Sequence, residues 1–304
     1  MGTGPAPGGT SRIELGRAVV LRGPRGGKYP DGNSLFVRGG EERVLIDPST
    51  HLADPATELP EVDRVLLSHV HEDHFAGCAR LAALPLHAHA ADQPALASLE
   101  DLLELYGYDE PIRTPWREAL VERFHFRPRL DAVPFEDGAV FDLGGVRIHA
   151  IHAPGHTRGH TVFLMEPDGV LFLGDIDLSS FGPYYGDAWS SLVDFEETLR
   201  MVREIPARVW VTFHHVGVLH SRPAFLERLD RFEAVIRRRE RRLLEYLAEP
   251  RTLDEIAQHR FVYRPGDAVP FAEAVERRSM AQHLERLERE GRVAQVEPGR
   301  FRAR

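Results

Sequence analysis

The sequence predicts an α+β architecture: two β-sheets flanked by helices, with a small helical module behind them. Three observations lead there. Short β-rich runs come in groups, the first before residue 70 and the second between residues 139 and 213. Stretches of helical spacing separate and follow those groups, the pattern of segregated strands and helices. From about Phe225 the chain turns helical and Arg-rich. At 304 residues it has room for one large domain and a smaller companion.

Residues 1–16 read as a flexible tail, since MGTGPAPGGTSR holds no apolar run. The first strand is expected over 17–22, before the Gly/Pro loop GPRGGKYPDG. The runs 33–38 and 43–46 form a hairpin across GGEE. A buried-type strand over 62–68 precedes a helix over 74–84, which Pro85 stops. Residues 92–126 read as a helical insertion, with Leu96, Leu99, Leu102, Leu103 and Tyr106 at helical spacing and PIRTPWREALVERF as a second helix. Strands resume at 139–141, 146–151, 161–166 and 170–173, and a helix over 193–203 leads into a strand at 208–213. A main unit over 17–230 and a second unit over 231–304 follow. The latter has a long helix at 225–247, a short one capped by Thr252, a third over 279–290 ending at Gly291, and a closing hairpin.

Composition excludes several classes. With 42% hydrophobic residues and 28% charged, the chain is neither collagen-like nor disordered. Cys78 is the only cysteine, so neither an intrachain disulfide nor a thiolate metal cluster is available. Apolar runs such as 170–173 are far shorter than the ~20 residues that cross a bilayer. The first residues lack a signal-peptide core, so a cytoplasmic protein is expected. Of the 38 basic residues only Lys28 is lysine. The net charge of −9 divides unevenly: residues 231–304 carry 17 Arg against 13 acidic residues, or +4, leaving −13 on the remainder.

Sixteen histidines are the feature that points to function. Three of them lie in Ser68-His69-Val70-His71-Glu72-Asp73-His74, between a short apolar strand and a helix. Imidazoles two residues apart in extended chain point the same way and can pinch one ion. Asp73 and His74, turning into the helix, project toward a second position. Asp73 taken alone would be a helix N-cap; inside this string it reads as a ligand.

The string resembles the signature of the metallo-β-lactamase superfamily. The rest of that family's ligand series follows in order: His156 in Ala153-Pro154-Gly155-His156-Thr157, Asp175 at the end of VLFLGD, and His214-His215 after RVWVTF. The resemblance covers about residues 17–225. It implies a four-layer αββα sandwich and two metal ions. His69, His71 and His156 would hold one ion; Asp73, His74 and His214 (His215 as the alternative) the other; Asp175 would bridge. Imidazole and carboxylate ligands suit zinc, and also iron or manganese. A metal-bridging hydroxide would be the nucleophile and Asp73 would orient it. The family's di-iron oxygen and nitric-oxide reductases carry Glu at the position of His71, which argues against that branch. The tail resembles the winged-helix extension of one β-lactamase-like subgroup.

Other residues get plainer readings. Asp47 is expected as a structural turn residue, His160 as a loop or ligand support, His87 and His89 as strand positions, and Cys78 as a buried thiol. Tyr184 and Tyr185 are the candidate substrate contacts, because their loop leaves the metal end of a strand, with core or loop packing as the commoner role for a tyrosine. The insertion's Tyr106, Tyr108 and Trp116 can be core or pocket lining. The expected activity is hydrolysis of a small ester, thioester or lactone, with a metal-dependent nuclease as the alternative. The −13 of the main unit disfavours a polyanion partner. The acidic helix SMAQHLERLERE disfavours DNA binding by the tail, leaving packing, dimerisation or covering the site as its role.

Overall fold

The computed structural model describes residues 11–304, so residues 1–10 of the expected tail lie outside the described residues. The first sheet holds β1 (Arg12–Leu15), β2 (Ala18–Leu21), β3 (Ser34–Arg38), β4 (Arg43–Ile46), β5 (Arg64–Leu66), β6 (Leu86–His89) and β7 (Val133–Phe135), side by side in chain order. Its first four strands pair antiparallel and β4 to β7 pair parallel. The second sheet is ordered β13-β12-β11-β10-β9-β8, from β8 (Val140–Asp142), β9 (Arg147–His152), β10 (Thr161–Glu166), β11 (Val170–Phe172), β12 (Val209–Val211) and β13 (Val218–Leu219). Only its β11–β12 pair is parallel.

Side-chain alternation along these strands sets the layers. Val20, Leu35, Val44 and Ile46 of the first sheet meet Ile148, Phe163, Phe172 and Val211 of the second in one buried cluster. Val19, Leu21 and Leu45 face the other way, into a cluster with Leu102, Leu103 and Leu105 of α4 (Leu99–Tyr106), with α5 (Arg113–Glu122) packed beside it. On the far side, Val162, Leu171 and Trp210 pack on α6 (Leu192–Glu204) and the first half of α7 (Arg222–Tyr246). The result is the αββα order expected. One-turn helices α1 (Pro24–Gly27), α2 (Thr50–Ala53) and α3 (Glu72–Phe75) sit in the connections.

At the C-terminus, α8 (Leu253–His259) and α9 (Ala272–Arg289) join a three-stranded sheet of β14 (Arg251–Thr252), β15 (Val293–Glu297) and β16 (Arg300–Ala303). Leu243 and Leu247 at the end of α7 pack with Ile256, Met280, Leu284 and Leu287. The expected boundary at 230/231 therefore falls inside one helix whose two halves serve two cores.

Several details differ from expectation. Arg12–Leu15, placed in the tail, is a strand that pairs with β2 across a turn at Gly16. The helix expected over 74–84 starts at Glu72 and tightens into a 3-10 helix at Ala76–Leu81. β7 escaped notice because Val-Pro-Phe is short and holds a proline, which an edge strand tolerates. The third C-terminal helix begins two turns before Ser279.

Phe163 is fully buried between the sheets. Phe163→Ala should lower unfolding stability by about 3–5 kcal/mol, read as a reduced urea midpoint with the slope unchanged.

Candidate metal centre

All the predicted ligands leave the carboxyl ends of strands. After β5 the chain stays extended through His71, which occupies the N-cap position of α3 with φ −95° and ψ 156° and makes no side-chain cap. His69 and His71 thus point together while Val70, fully buried, points into the core. Asp73 and His74 lie on the first turn of α3, Asp73 two positions past the N-cap, where a capping aspartate would sit. His156 follows β9, Asp175 follows β11, and His214 follows β12.

These side chains form two groups. His69, His71, His156 and Asp175 bring one ligand atom each within 4.8 Å of one another, and Asp73, His74 and His214 do the same. His71 Nδ1 lies 3.1 Å from His69 Nε2 and 2.9 Å from His156 Nε2. Ligand nitrogens ~2.0–2.1 Å from one tetrahedral ion stand about 3.3 Å apart, so this spacing suits a shared cation. Asp175 reaches both groups: Oδ2 is 3.2 Å from His156 Nε2, and Oδ1 is 2.9 Å from His74 Nε2 and 3.7 Å from His214 Nε2. Asp73 Oδ2 is buried without a hydrogen bond, although His214 Nε2 lies 3.0 Å away. The donor set fits two divalent cations of the zinc, iron or manganese type.

Each histidine turns its other ring nitrogen toward an oxygen, which fixes ring orientation. His74 Nδ1 donates to Asp47 Oδ2 at 2.8 Å, and Asp47 also accepts from the backbone and hydroxyl of Ser68. His69 Nδ1 lies 3.0 Å from Ser68 Oγ. His156 Nδ1 donates to the Tyr184 carbonyl at 3.0 Å, and His214 Nδ1 to the Gly27 and Asp31 carbonyls at 2.8 and 3.0 Å. His71 Nε2 is 3.2 Å from Asp187 Oδ2. Asp47 is a turn residue, with φ +50°, but it also holds a ligand. His160 accepts from the Asp175 backbone N–H at 3.1 Å while donating from Nδ1 to the Ala153 carbonyl. Gly174 lets that contact form: a Cβ there would stand 2.6 Å from His160 Nε2, and its φ is +51°.

Burial and charge pull the imidazoles in opposite directions. Burial and the neighbouring rings of His74, His156 and His71 hold His69 well below its ordinary pKa, a neutral nitrogen donor. Burial would also lower His74, but the carboxylates of Asp175, Asp47 and Asp73 raise it well above. The same contest, against Asp175 and Asp73, leaves His214 at about 9. His160, pushed by burial to about 3, is a fixed neutral spacer.

Not every predicted contact is at the cluster. His215 is the alternative the structure sets aside: its side chain is 39% exposed and reaches toward Asp177. Tyr185 was expected to touch substrate; instead its hydroxyl is buried 2.9 Å from His283 Nε2 in α9. Tyr184 donates its hydroxyl to Asp187 at 3.1 Å. Tyr106 and Tyr108 are buried, and Tyr106 stacks on His71 with ring centroids 5.4 Å apart. Cys78 is a buried thiol pushed up to about 12. His87 and His89 sit in β6.

Sequence reasoning missed three acids. Buried Asp92 ties the two motif loops together by accepting from Thr157 Oγ1, the Gly159 N–H and the Val70 N–H. Asp187 supports His71. Glu72 accepts from the Tyr29 and Tyr106 hydroxyls at 2.7 and 2.5 Å. Glu72 lies inside the string at 68–74 but was not singled out there, and Asp92 and Asp187 lie outside any motif.

Comparison with known proteins accords with this geometry. A profile described as the metallo-beta-lactamase superfamily matches residues 29–235. The chain belongs to that superfamily. A metallo-beta-lactamase family protein from Thermus thermophilus, TTHA1429, superposes with a TM-score of 0.70 at 25% identity, covering 95% of this chain and 99% of that one. The lactamase-like protein ptaB of Pestalotiopsis fici is 29% identical over 251 residues, 75% of this chain and 64% of its own. An atrochrysone carboxyl ACP thioesterase of Aspergillus fumigatus is 25% identical over 253 residues, 80% of this chain and 48% of its own. The chain spans about half the length of such thioesterases.

Metal titration separates the adjacent histidines. His214→Ala should lose about one bound ion per chain, whereas His215→Ala should keep the full complement. Asp47→Ala should weaken metal binding by about 10–100-fold, measured by chelator competition.

Proposed function

We propose that this superfamily member is a dinuclear metallohydrolase that cleaves a thioester. The observation that carries the reading is the convergence of seven side chains into two groups that share the Asp175 carboxylate. His69, His71 and His156 would hold one ion and Asp73, His74 and His214 the other, with Asp175 between them. When bound, such ions polarise an acyl oxygen and lower the pKa of water toward neutrality.

The chain's own residues do the rest. Asp73, whose Oδ2 lacks a hydrogen bond, is placed to orient the attacking water and take its proton. Asp175 is the least buried of the ligand carboxylates and imidazoles, at 16% side-chain exposure, with His214 next at 8%; substrate therefore approaches from their side. The rings and acids beneath them exclude water from the opposite side. His71, with Asp187 behind it, fills a position where a carboxylate would favour redox-active iron, which supports hydrolysis over oxygen chemistry.

Among ester, thioester and lactone, the thioester is favoured by the relatives named as acyl-carrier-protein thioesterases. Protein prepared without chelator should contain close to two transition-metal ions per chain by elemental analysis; metal-free protein that refuses zinc, iron and manganese would overturn the reading. Acyl thioesters should be hydrolysed with release of free thiol, faster than lactones, phosphodiesters or RNA. A preference for RNA would move the protein to the nuclease class instead. Asp73→Ala should cost about 10²–10⁴-fold in kcat while leaving the circular dichroism spectrum in place.

A further inference from the structure

We propose that Arg239, from the C-terminal half of the chain, is a positioning residue for the metal centre, acting through the loop that follows Asp175. The inference rests on the metal-site reading above and assigns the C-terminal module a role in it.

Arg239 lies on α7 and is only 2% exposed. A buried guanidinium carries a large desolvation cost unless its donors are used. Here they go to backbone rather than to a carboxylate: Nη1 donates to the Pro183 carbonyl at 2.6 Å and Nη2 to the Phe181 carbonyl at 2.8 Å. The rings of Phe181 and Tyr185 lie 5.5 and 5.3 Å from the guanidinium carbon. These carbonyls belong to a segment without regular structure, where no ladder would satisfy them. The planar fork of arginine spans two such acceptors, which a lysine ammonium does not.

The residue after Pro183 is Tyr184, whose carbonyl orients His156 and whose hydroxyl holds Asp187 against His71. From the guanidinium to two ligand rings is thus one short stretch of backbone. The same stretch is pinned at both ends by the C-terminal helices. A Cβ on Gly182 would stand 2.4 Å from Val235 of α7, and one on Gly186 2.3 Å from Val275 of α9. Arg278 of α9 adds bonds to the Tyr106, Gly107 and Gly186 carbonyls, and Gln282 donates to the Tyr185 carbonyl at 2.9 Å. The C-terminal helices thus hold this loop from one side, as His156 Nδ1 and the Tyr108 hydroxyl hold it from the other.

The test is zinc affinity of the full-length protein by competition with a chromophoric chelator, with the visible spectrum of the cobalt-loaded protein as a second readout. Arg239→Gln should bind zinc about 10–100-fold more weakly than wild type and alter the cobalt bands. Arg239→Lys, which keeps the charge, should recover part of the loss. The control is Arg277→Ala, which removes the α9 bridges to Asp254 and Glu273 within the module and makes no bond to the loop. It should lower the melting temperature but leave zinc affinity unchanged. Wild-type affinity and cobalt spectrum in Arg239→Gln would overturn the proposal, whatever its melting temperature. If Arg239→Gln does not fold, wild-type affinity in Arg239→Lys overturns it equally. Failure of the wild-type protein itself to bind zinc would count against the metal-site reading, and so is distinguishable.

Discussion

A carboxylate shared by two sets of imidazoles needs atoms from both sheets to end at one place. Asp175 meets that requirement because β11 and β12 run parallel beside each other, which brings Asp175 and His214 to the same edge of the second sheet. His69 to His74 come from the first sheet; His156, Asp175 and His214 come from the second. The distances of 2.9–3.7 Å around Asp175 are therefore set by the inter-sheet core of Val44, Ile46, Phe163, Phe172 and Val211. A strand that slipped by one residue within its sheet would turn its side chains to the opposite face and separate the two groups.

The close approach of so many polar groups is unfavourable in itself. Burial penalises charge on the rings of His69, His71, His74 and His214, and neighbouring rings add to that penalty at His69. What balances it is an outer layer of fixed acceptors: Asp47 behind His74, Asp187 behind His71, and the Tyr184, Gly27 and Asp31 carbonyls behind His156 and His214. Asp92 locks the loop of His71 to the loop of His156, so neither ring can move alone. Burial leaves His69 a neutral donor, whereas the carboxylates around His74 and His214 favour the protonated forms of those rings.

The candidates at 69–74 were legible because their chemistry is local: His-X-His in extended chain followed by Asp-His can be read from spacing, whereas His156, Asp175 and His214 were found through the family resemblance. The layers were legible because the continuous apolar run at Thr161–Glu166 marks a buried strand and the helical spacing around Leu102 marks an amphipathic helix. The supports were not. Asp92 sits in what reads as the first turn of an insertion, and Asp187 in a loop whose sequence has no period; each acts through a partner 65 or more residues away, at Thr157 or Tyr108. Tyr185 misled for the same reason. Position after a strand end says that a side chain is near the site, whereas only packing against α9 decides that this hydroxyl turns away. The edge strands β1 and β7 were hidden by short length and proline.

The C-terminal module shows why charge counts alone are poor guides to partners. Residues 231–304 are net basic, which on a free surface would invite a polyanion. Yet Arg239 and Arg278 point their guanidinium groups inward to carbonyls of the loop at 181–186 and the turn at Tyr106–Gly107, and Arg286 is paired with Glu196 and Glu240. The faces of α9 that carry Ser279, Met280, His283, Leu284 and Leu287 are buried. Arg239 and Arg278 thus act as donors for a backbone that regular structure leaves unsatisfied. A segment that holds Asp187 and the Tyr184 carbonyl against two metal-site rings needs such donors, because it has no ladder of its own.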